Sequence, residues 1–157
     1  MDRLDIIEKI VVNFTKSKIT LAVAESCTGG YISNMITNVP GASNVFERGI
    51  ICYSNSSKIH LLNINPDYLI QYGAVSEIVA KHLANNIRIL SDVTIGIGIT
   101  GIAGPTGGTP EKPVGLVYIG FSTQKETIVK KYQFKVNRIT FKEKVLEKIL
   151  TLLQNFA

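Results

Sequence analysis

Segments with helical periodicity alternate along this chain with short apolar segments that have the character of β-strands. Apolar residues recur every three or four positions in three stretches, near the start, in the middle and at the end of the chain. Val79, Leu83, Ile87 and Leu90 form the middle stripe. Ser76 is its predicted N-cap, because the serine hydroxyl can accept a hydrogen bond from a backbone N–H in the first turn.

Five strand-like segments separate these helices. They are predicted at about 20–24, 48–54, 93–99, 114–122 and 126–135. Two shorter helices are predicted, one after Gly29-Gly30 through about Ile36 and one around Ser56–Leu62. Because helix and strand alternate, the order predicts an α/β fold, namely a single three-layer α/β/α domain with a mixed, largely parallel sheet. The last two strands are expected to add to it as an antiparallel hairpin.

Composition limits the functional classes that are open to this chain. With 157 residues, 45% of them apolar, it fits one domain over residues 1–157. Charged residues interrupt the first fifteen positions, and no uncharged apolar run reaches about 18 residues, so we expect a cytoplasmic protein without a membrane segment. The two cysteines and two histidines show no metal-ligand spacing, so we expect no metal site.

The net charge of +5 is concentrated near the carboxyl end. Residues 125–148 contain eight basic and three acidic side chains, while the rest of the chain balances. We interpret this surplus as a solvated strand and helix face, with binding of a small anion as the next alternative. Nucleic acid is the least favoured partner, because the segment has no aromatic or DNA-reading motif.

Two loops of small, hydroxyl-bearing residues are candidates for an active site. The sequences AESCTGG at 24–30 and ITGIAGPTGGTPEKPVG at 99–115 each follow an apolar run, and such strand-to-loop junctions commonly hold the chemistry of α/β proteins. If the two preceding strands are neighbours, Ser26 and Thr100 point into one crevice, where hydroxyls and backbone N–H groups can stabilise an oxyanion. The alternative is that the Ser26 and Thr100 hydroxyls only cap their local turns.

Two glycine patterns in these loops are open to more than one interpretation. The Thr28-Gly29-Gly30 segment at the start of a helix offers N–H groups to an anion such as phosphate, or it forms a tight strand-to-helix turn. The GxGxxG pattern at 96–101 resembles a dinucleotide-binding fingerprint, but the following residues cannot open the helix that such a site requires.

A serine-lysine set is a further candidate. Ser43 lies ten residues before Tyr53, and Lys58 lies where a helix is predicted to follow the strand. A lysine can accept a serine proton if burial keeps it neutral, and Tyr53 can relay the proton or hold Lys58 in place. The alternative is that these residues have no catalytic role. In that case Ser43 caps a short helix, Tyr53 is a half-buried strand residue and Lys58 is a solvated cation. Cys27 is the rival nucleophile, but no histidine lies near it in sequence.

Four motifs carry a resemblance to a known family. They are AESCTGG at 24–30, PGAS at 40–43 with FERGIICYSNSSK at 46–58, GAVSE at 73–77, and TGIAGPTGGTPEKPVG at 100–115. In this order and spacing the chain resembles the CinA C-terminal domain family, whose active members are nicotinamide mononucleotide amidohydrolases (PncC). The resemblance implies a three-layer α/β/α fold, a homodimer or higher homo-oligomer, no metal or cofactor, and conversion of the nicotinamide carboxamide to the acid with loss of ammonia.

The resemblance also assigns roles to individual residues. It makes Ser43 the nucleophile and Tyr53 and Lys58 its activating partners. Ser26 and Thr100 fall where the family places hydroxyls near the reacting carbonyl, and Arg138 matches a basic residue associated with substrate binding. Thr28, Gly29 and Gly101, in the same two loops, are our further candidates for binding the oxyanion or the substrate. The sequence departs from the family pattern at Lys142, where an arginine is common, and lysine lacks the planar fork that grips a phosphate with two hydrogen bonds.

Three further expectations follow from the resemblance. Larger CinA proteins have an additional N-terminal domain, which we expect to be absent from these 157 residues. A catalytically silent domain that binds a nucleotide or a partner is the main alternative to an enzyme. A competence or DNA-repair role through nucleic acid is the third reading, suggested only by the family name and the basic carboxyl end.

Overall fold

A five-stranded sheet forms the centre of the molecule, of which the computed structural model describes residues 1–156. The strands are β1 (Leu21–Glu25), β2 (Phe46–Ile51), β3 (Ile95–Gly101), β4 (Leu116–Ser122) and β5 (Thr127–Gln133). Their spatial order is β2-β1-β3-β4-β5. β1 pairs in parallel with β2 and β3, whereas β4 pairs antiparallel with β3 and β5. Four of the five strands therefore share one direction, which confirms the predicted mixed, largely parallel sheet.

Six helices surround the sheet in the described part of the chain. They are α1 (Arg3–Ser17), α2 (Tyr31–Thr37), α3 (Asn55–Leu62), α4 (Pro66–Tyr72), α5 (Glu77–Ser91) and α6 (Arg138–Phe156), and a 3₁₀ turn covers Ala42–Asn44. The Ser76 hydroxyl accepts from the Val79 N–H, which confirms the predicted cap of α5. The sequence did not predict α4, a seven-residue helix that buries no side chain. Within residues 1–156, no helix has the length and apolar character needed to cross a membrane.

The helices pack in two layers, one on each face of the sheet. Alternate side chains of β1 pack on opposite faces of the sheet. Val23 belongs to the core under α1, α2 and α6. Ala22 and Ala24 belong to the core under α3 and α5. This alternation is the period-two pattern of a strand that is covered on both faces. The predicted three-layer α/β/α fold is thereby confirmed.

Three glycines of the sheet let α5 lie directly against it. A Cβ on Gly96 would lie 2.2 Å from the Ala84 carbonyl oxygen, and one on Gly120 would lie 2.4 Å from the Ala80 carbonyl oxygen. Gly98 sits between them, with its would-be Cβ 2.4 Å from the Ala84 nitrogen. The first two glycines of the GxGxxG pattern, Gly96 and Gly98 in β3, therefore permit close packing of the helix on the sheet.

Gly98→Ala is expected to destabilise the protein, because the added methyl group meets backbone atoms of α5 that cannot rotate away. Overpacking of this kind costs about 1–3 kcal/mol of the free energy of unfolding. Urea unfolding followed by circular dichroism measures the change. An unchanged unfolding midpoint would show that α5 can shift without penalty.

The basic surplus lies mainly on the last strand and the last helix. Lys130 and Lys131 are exposed on β5, which forms one edge of the sheet. Lysines on an edge strand discourage pairing with another chain. On α6, the Lys144 ammonium lies 3.2 Å from the Glu147 carboxylate. These positions fit the interpretation of the surplus as a solvated face.

Candidate active site

A cleft opens at the carboxyl ends of β1, β2 and β3. It has a volume of about 170 Å³. Its lining comprises Ser26, Cys27, Tyr53, Asn55, Lys58, Ala74, Val75, Thr100, Gly101, Ala103 and Arg138. Ser26 and Thr100 meet there because β1 and β3 are parallel neighbours, with Glu25 paired opposite Ile99. The predicted convergence of these two loops is therefore found, at the sheet edge where α/β folds place their ligands.

Lys58 is buried at the base of this cleft. Its side chain is only 1% exposed, and its Nζ lies 2.8 Å from the Ser26 Oγ. The same Nζ donates to the backbone carbonyls of Cys52 and Tyr53, at 2.9 and 3.1 Å. No carboxylate lies within ion-pair distance of Lys58 in the described part of the chain. Burial therefore lowers the pKa of Lys58, because desolvation penalises the ammonium form.

The surroundings of the Lys58 amine fit its neutral form. A neutral amine has two N–H donors and one lone pair, and the cleft offers it two carbonyl acceptors and one hydroxyl. The carbonyls of Cys52 and Tyr53 take the two N–H groups, which leaves the lone pair for the Ser26 O–H. The ammonium form can donate to the same three oxygens. A proton can therefore move between Ser26 and Lys58 without a change in the surrounding contacts.

The local sequence explains how Lys58 comes to be buried. The Ser54 hydroxyl caps α3 by accepting from the Ser57 N–H at 3.0 Å, so the helix begins directly after β2. Lys58 and Leu62 are the buried side chains of α3, and their spacing of four residues places them on one face. A lysine one turn before a core leucine was the sequence signal for an inward-pointing amine.

The structure does not bring Ser43 to Lys58. Ser43 is exposed in the 3₁₀ turn that precedes β2, whereas Lys58 follows the carboxyl end of that strand. Six residues of extended chain span about 20 Å, so the two side chains lie at opposite edges of the sheet. The predicted convergence of Ser43, Tyr53 and Lys58 is therefore wrong within one chain. The hydroxyl that contacts Lys58 belongs to Ser26.

Tyr53 also differs from its predicted arrangement. Only its backbone carbonyl contacts Lys58, while its side chain is 59% exposed. The Arg138 guanidinium donates to the Tyr53 hydroxyl at 3.1 Å and to the Gly104 carbonyl at 2.8 Å. The phenol is thus part of the cleft mouth together with Arg138, and it is not placed to relay a proton between a serine and Lys58.

The Thr28-Gly29-Gly30 segment does not present a free anion site, because the Glu25 carboxylate occupies that position. One carboxylate oxygen accepts from the Thr28 hydroxyl at 2.6 Å and from the Gly30 N–H at 3.0 Å. The Gly29 N–H donates to the Ser26 carbonyl. The anion that satisfies the start of α2 is therefore internal, which corrects the predicted role of Thr28 and Gly29 toward substrate.

Thr100 and Gly101 form the opposite wall of the cleft. The Thr100 hydroxyl donates to the Ala74 carbonyl at 2.8 Å, and this bond fixes the loop before α5. Gly101 continues β3, and a Cβ there would lie 2.7 Å from the Leu116 carbonyl oxygen. Both residues line the site as predicted, and the Thr100 hydroxyl proton is already used within the protein.

Neither cysteine near the cleft has the character of a nucleophile. Burial raises the pKa of the Cys27 thiol to about 12 and that of the Cys52 thiol to about 11. A thiol is nucleophilic as the thiolate, so both groups are unreactive near neutral pH. Among residues 1–156, no three metal-ligating side chains cluster closely enough to hold an ion.

Comparison with known proteins connects this geometry to a family. The model of the CinA C-terminal domain family matches residues 4–157. A "CinA-like protein" of Kosmotoga olearia is 50% identical over 133 residues, which cover 84% of this chain and 32% of that protein. This chain therefore spans about a third of the length of that curated relative.

Solved structures of the family share the fold. The crystal structure of competence/damage inducible protein CihA from Agrobacterium tumefaciens superposes with a TM-score of 0.91 at 31% identity, over 99% of this chain and 94% of that one. A competence-damaged protein (CinA) superfamily protein from Enterobacter cloacae gives a TM-score of 0.93 at 25% identity, over 100% and 94% of the two chains.

Proposed function

This chain belongs to the CinA C-terminal domain family, and on that premise we propose that it is a serine-lysine amidohydrolase of nicotinamide mononucleotide. Its products are nicotinate mononucleotide and ammonia. The observation that carries the proposal is the contact of 2.8 Å between the Ser26 Oγ and the buried Lys58 Nζ. A hydroxyl beside a desolvated amine supplies the nucleophile and the base that amide hydrolysis needs. The substrate follows from the family resemblance.

Acylation begins with attack of the Ser26 Oγ on the carboxamide carbon. The serine proton passes to the neutral Lys58 amine as the new C–O bond forms, and the carbonyl oxygen becomes an oxyanion. The Lys58 ammonium then protonates the amide nitrogen, the C–N bond breaks, and ammonia leaves. The product is an ester between Ser26 and the pyridine carbonyl.

Deacylation repeats these steps with water as the nucleophile. Lys58 accepts a proton from water, which attacks the ester carbon, and then returns a proton to the Ser26 oxygen as the ester bond breaks. One amide and one water thus become one acid and one ammonia. Lys58 starts and ends the cycle in its neutral form.

The backbone N–H of Cys27 is the donor we assign to the oxyanion. It directly follows the nucleophile and belongs to a residue that lines the cleft. Backbone donors at this position stabilise charge that develops in the transition state of acyl transfer. Thr100 contributes to the wall that excludes water.

The size of the cleft indicates which part of the substrate it holds. A volume of about 170 Å³ is below the range of about 300–1,000 Å³ that is typical of complete ligand pockets. We therefore assign the cleft to the nicotinamide ring and place the phosphate outside, toward Arg138. Lys142 follows Arg138 by one helical turn, and its Nζ would lie 3.8 Å from a Cβ on Gly29, so it adds charge near the same rim.

Arg138→Met is expected to raise KM for nicotinamide mononucleotide about 10- to 100-fold with a smaller change in kcat. A charge-assisted hydrogen bond contributes about 1.5–3 kcal/mol to binding. The bond from Arg138 to the substrate phosphate would be equally strong in the bound substrate and in the transition state, so its loss affects KM more than kcat. Steady-state ammonia release measures both constants. Lys135→Met removes a nearby exposed charge and serves as the matched control. Equal effects of the two variants would argue against a specific contact of Arg138 with substrate.

Release of ammonia from nicotinamide mononucleotide by the purified protein tests the proposed function, with the acid product identified by chromatography. Equimolar ammonia and nicotinate mononucleotide are the expected result. Binding of the mononucleotide in calorimetry without any ammonia release would instead support the catalytically silent binding domain. The homo-oligomer implied by the resemblance and the cytoplasmic location expected from the composition stay predictions.

A further inference from the structure

Glu25 is a completely buried carboxylate directly next to the proposed nucleophile. Its side chain has 0% exposure, and it accepts five hydrogen bonds. One oxygen accepts from the Thr28 hydroxyl and from the N–H groups of Gly30 and Ile32, at 2.6, 3.0 and 3.2 Å. The other accepts from both the N–H and the hydroxyl of Ser33, each at 2.7 Å. No cation pairs with this carboxylate within residues 1–156.

These contacts hold the turn that carries Ser26. All five donors come from the turn itself or from the first turn of α2, so the carboxylate joins the end of β1 to the start of the helix. The backbone on both sides of Ser26 is thereby tied, since the Ser26 N–H also donates to the Ile99 carbonyl at 3.1 Å.

The backbone of Glu25 connects the same residue to Lys58. Its carbonyl oxygen accepts from the Cys52 N–H at 2.8 Å, and the Cys52 carbonyl in turn accepts from the Lys58 Nζ at 2.9 Å. Glu25 therefore lies between the two halves of the pair. Its side chain fixes the turn of Ser26, and its main chain fixes the strand end that holds Lys58.

We infer that Glu25 is a positioning residue that sets the Ser26 hydroxyl against the Lys58 amine. This inference rests on the proposed function, because it assigns Glu25 a role in the activation of Ser26. Glu25 contacts neither the cleft nor substrate and takes no proton in the reaction. Its effect is on the distance and orientation of the serine hydroxyl.

The donor pattern explains why a carboxylate is needed. Three of the donors are backbone N–H groups, and they are divided between the two oxygens. A glutamine has the same shape but only one acceptor oxygen, and its NH₂ group cannot accept from an N–H. The hydroxyls of Thr28 and Ser33 can reverse their direction, whereas at least one backbone N–H, that of Ser33, loses its acceptor. The turn must then shift, and a misplacement of about 1 Å costs about 100-fold in rate.

The test uses two readouts on the purified protein, steady-state ammonia release from nicotinamide mononucleotide and labelling by a fluorophosphonate. In labelling, the Ser26 oxygen bonds to phosphorus, fluoride leaves and the serine proton passes to Lys58, so the reaction reports on Ser26 without any nucleotide. Glu25→Gln is expected to lower kcat and the labelling rate about 100-fold each, with KM changed less than about threefold. Both rates are measured at a temperature below the thermal unfolding midpoint of Glu25→Gln. An unchanged kcat and an unchanged labelling rate in this variant would overturn the inference.

A second variant decides the question if Glu25→Gln does not fold. Thr28→Val removes one hydroxyl donor to Glu25 from the turn and is expected to slow labelling about tenfold. Thr37→Val is its control, because Thr37 also lies on α2 but its hydroxyl bonds only to the carbonyls of Ser33 and Asn34. Equal labelling rates in the two valine variants would overturn the inference.

The two readouts separate this inference from the proposed function. Labelling of the wild type without ammonia release would reject the substrate, and the variants would still decide the role of Glu25. A wild type that shows neither labelling nor ammonia release would reject both the activated serine and the role of Glu25.

Discussion

Ser26→Ala is expected to reduce ammonia release from nicotinamide mononucleotide by at least about 10⁴-fold. The variant lacks the only hydroxyl that contacts the Lys58 amine, at 2.8 Å among the described residues, and loss of the nucleophile in serine hydrolases removes nearly all of the covalent pathway. Folding should be retained, because Ser26 is a small turn residue whose hydroxyl packs little surface. The rate is measured by a coupled ammonia assay on variants of equal circular dichroism.

Ser43→Ala is the matched control for this experiment. The same atom is removed from the serine that the family resemblance favours, which is exposed beyond the amino-terminal end of β2. We expect a rate within about twofold of the wild type, since surface substitutions change little. Loss of activity in Ser43→Ala with retention in Ser26→Ala would reverse the assignment, for example through a second subunit that brings Ser43 to the cleft.

Lys58→Met is expected to lower kcat by about 10³-fold or more. Methionine fills the same buried space but can neither take the Ser26 proton nor return a proton to the leaving amine, and each role contributes about 10²–10⁴-fold. Lys58→Arg should be similarly inactive, because a guanidinium stays protonated and cannot act as the base. Either variant with more than about a tenth of the wild-type kcat would exclude Lys58 as the base.

The pH dependence of the wild type provides a further check on Lys58. Burial lowers the pKa of its ammonium below the ordinary value of 10.5, and only the neutral amine is active. Activity should therefore rise with pH as Lys58 loses its proton. The midpoint of this rise should lie below pH 10.5, the ordinary pKa of a lysine. This rise of activity with pH should be absent from the residual activity of Lys58→Met.

The fold follows from sequence features that act over short distances. Apolar stripes at helical spacing predict α1, α5 and α6, and apolar runs predict the five strands within a few residues of their bounds. The convergence of Ser26 and Thr100 could also be predicted, because carboxyl ends of neighbouring parallel strands meet at one sheet edge. α4 was missed because a helix of seven residues without a buried side chain leaves no apolar stripe.

The site was harder to predict, because its contacts cross the sheet. Ser43 is closer to Lys58 in sequence than Ser26 is, yet β2 separates Ser43 from the cleft while β1 ends beside it. Sequence spacing contains no such information. Likewise, the N–H groups before α2 looked available to phosphate until the structure showed the Glu25 carboxylate among them.

Peptide mass spectrometry after acid quench identifies the residue that carries the acyl group during turnover of nicotinamide mononucleotide. We expect the nicotinate mononucleotide ester on the peptide that contains Ser26, and we expect it to be absent from Ser26→Ala. An adduct on Ser43 or on Cys27 would contradict the assignment of Ser26 and Lys58 as the catalytic pair.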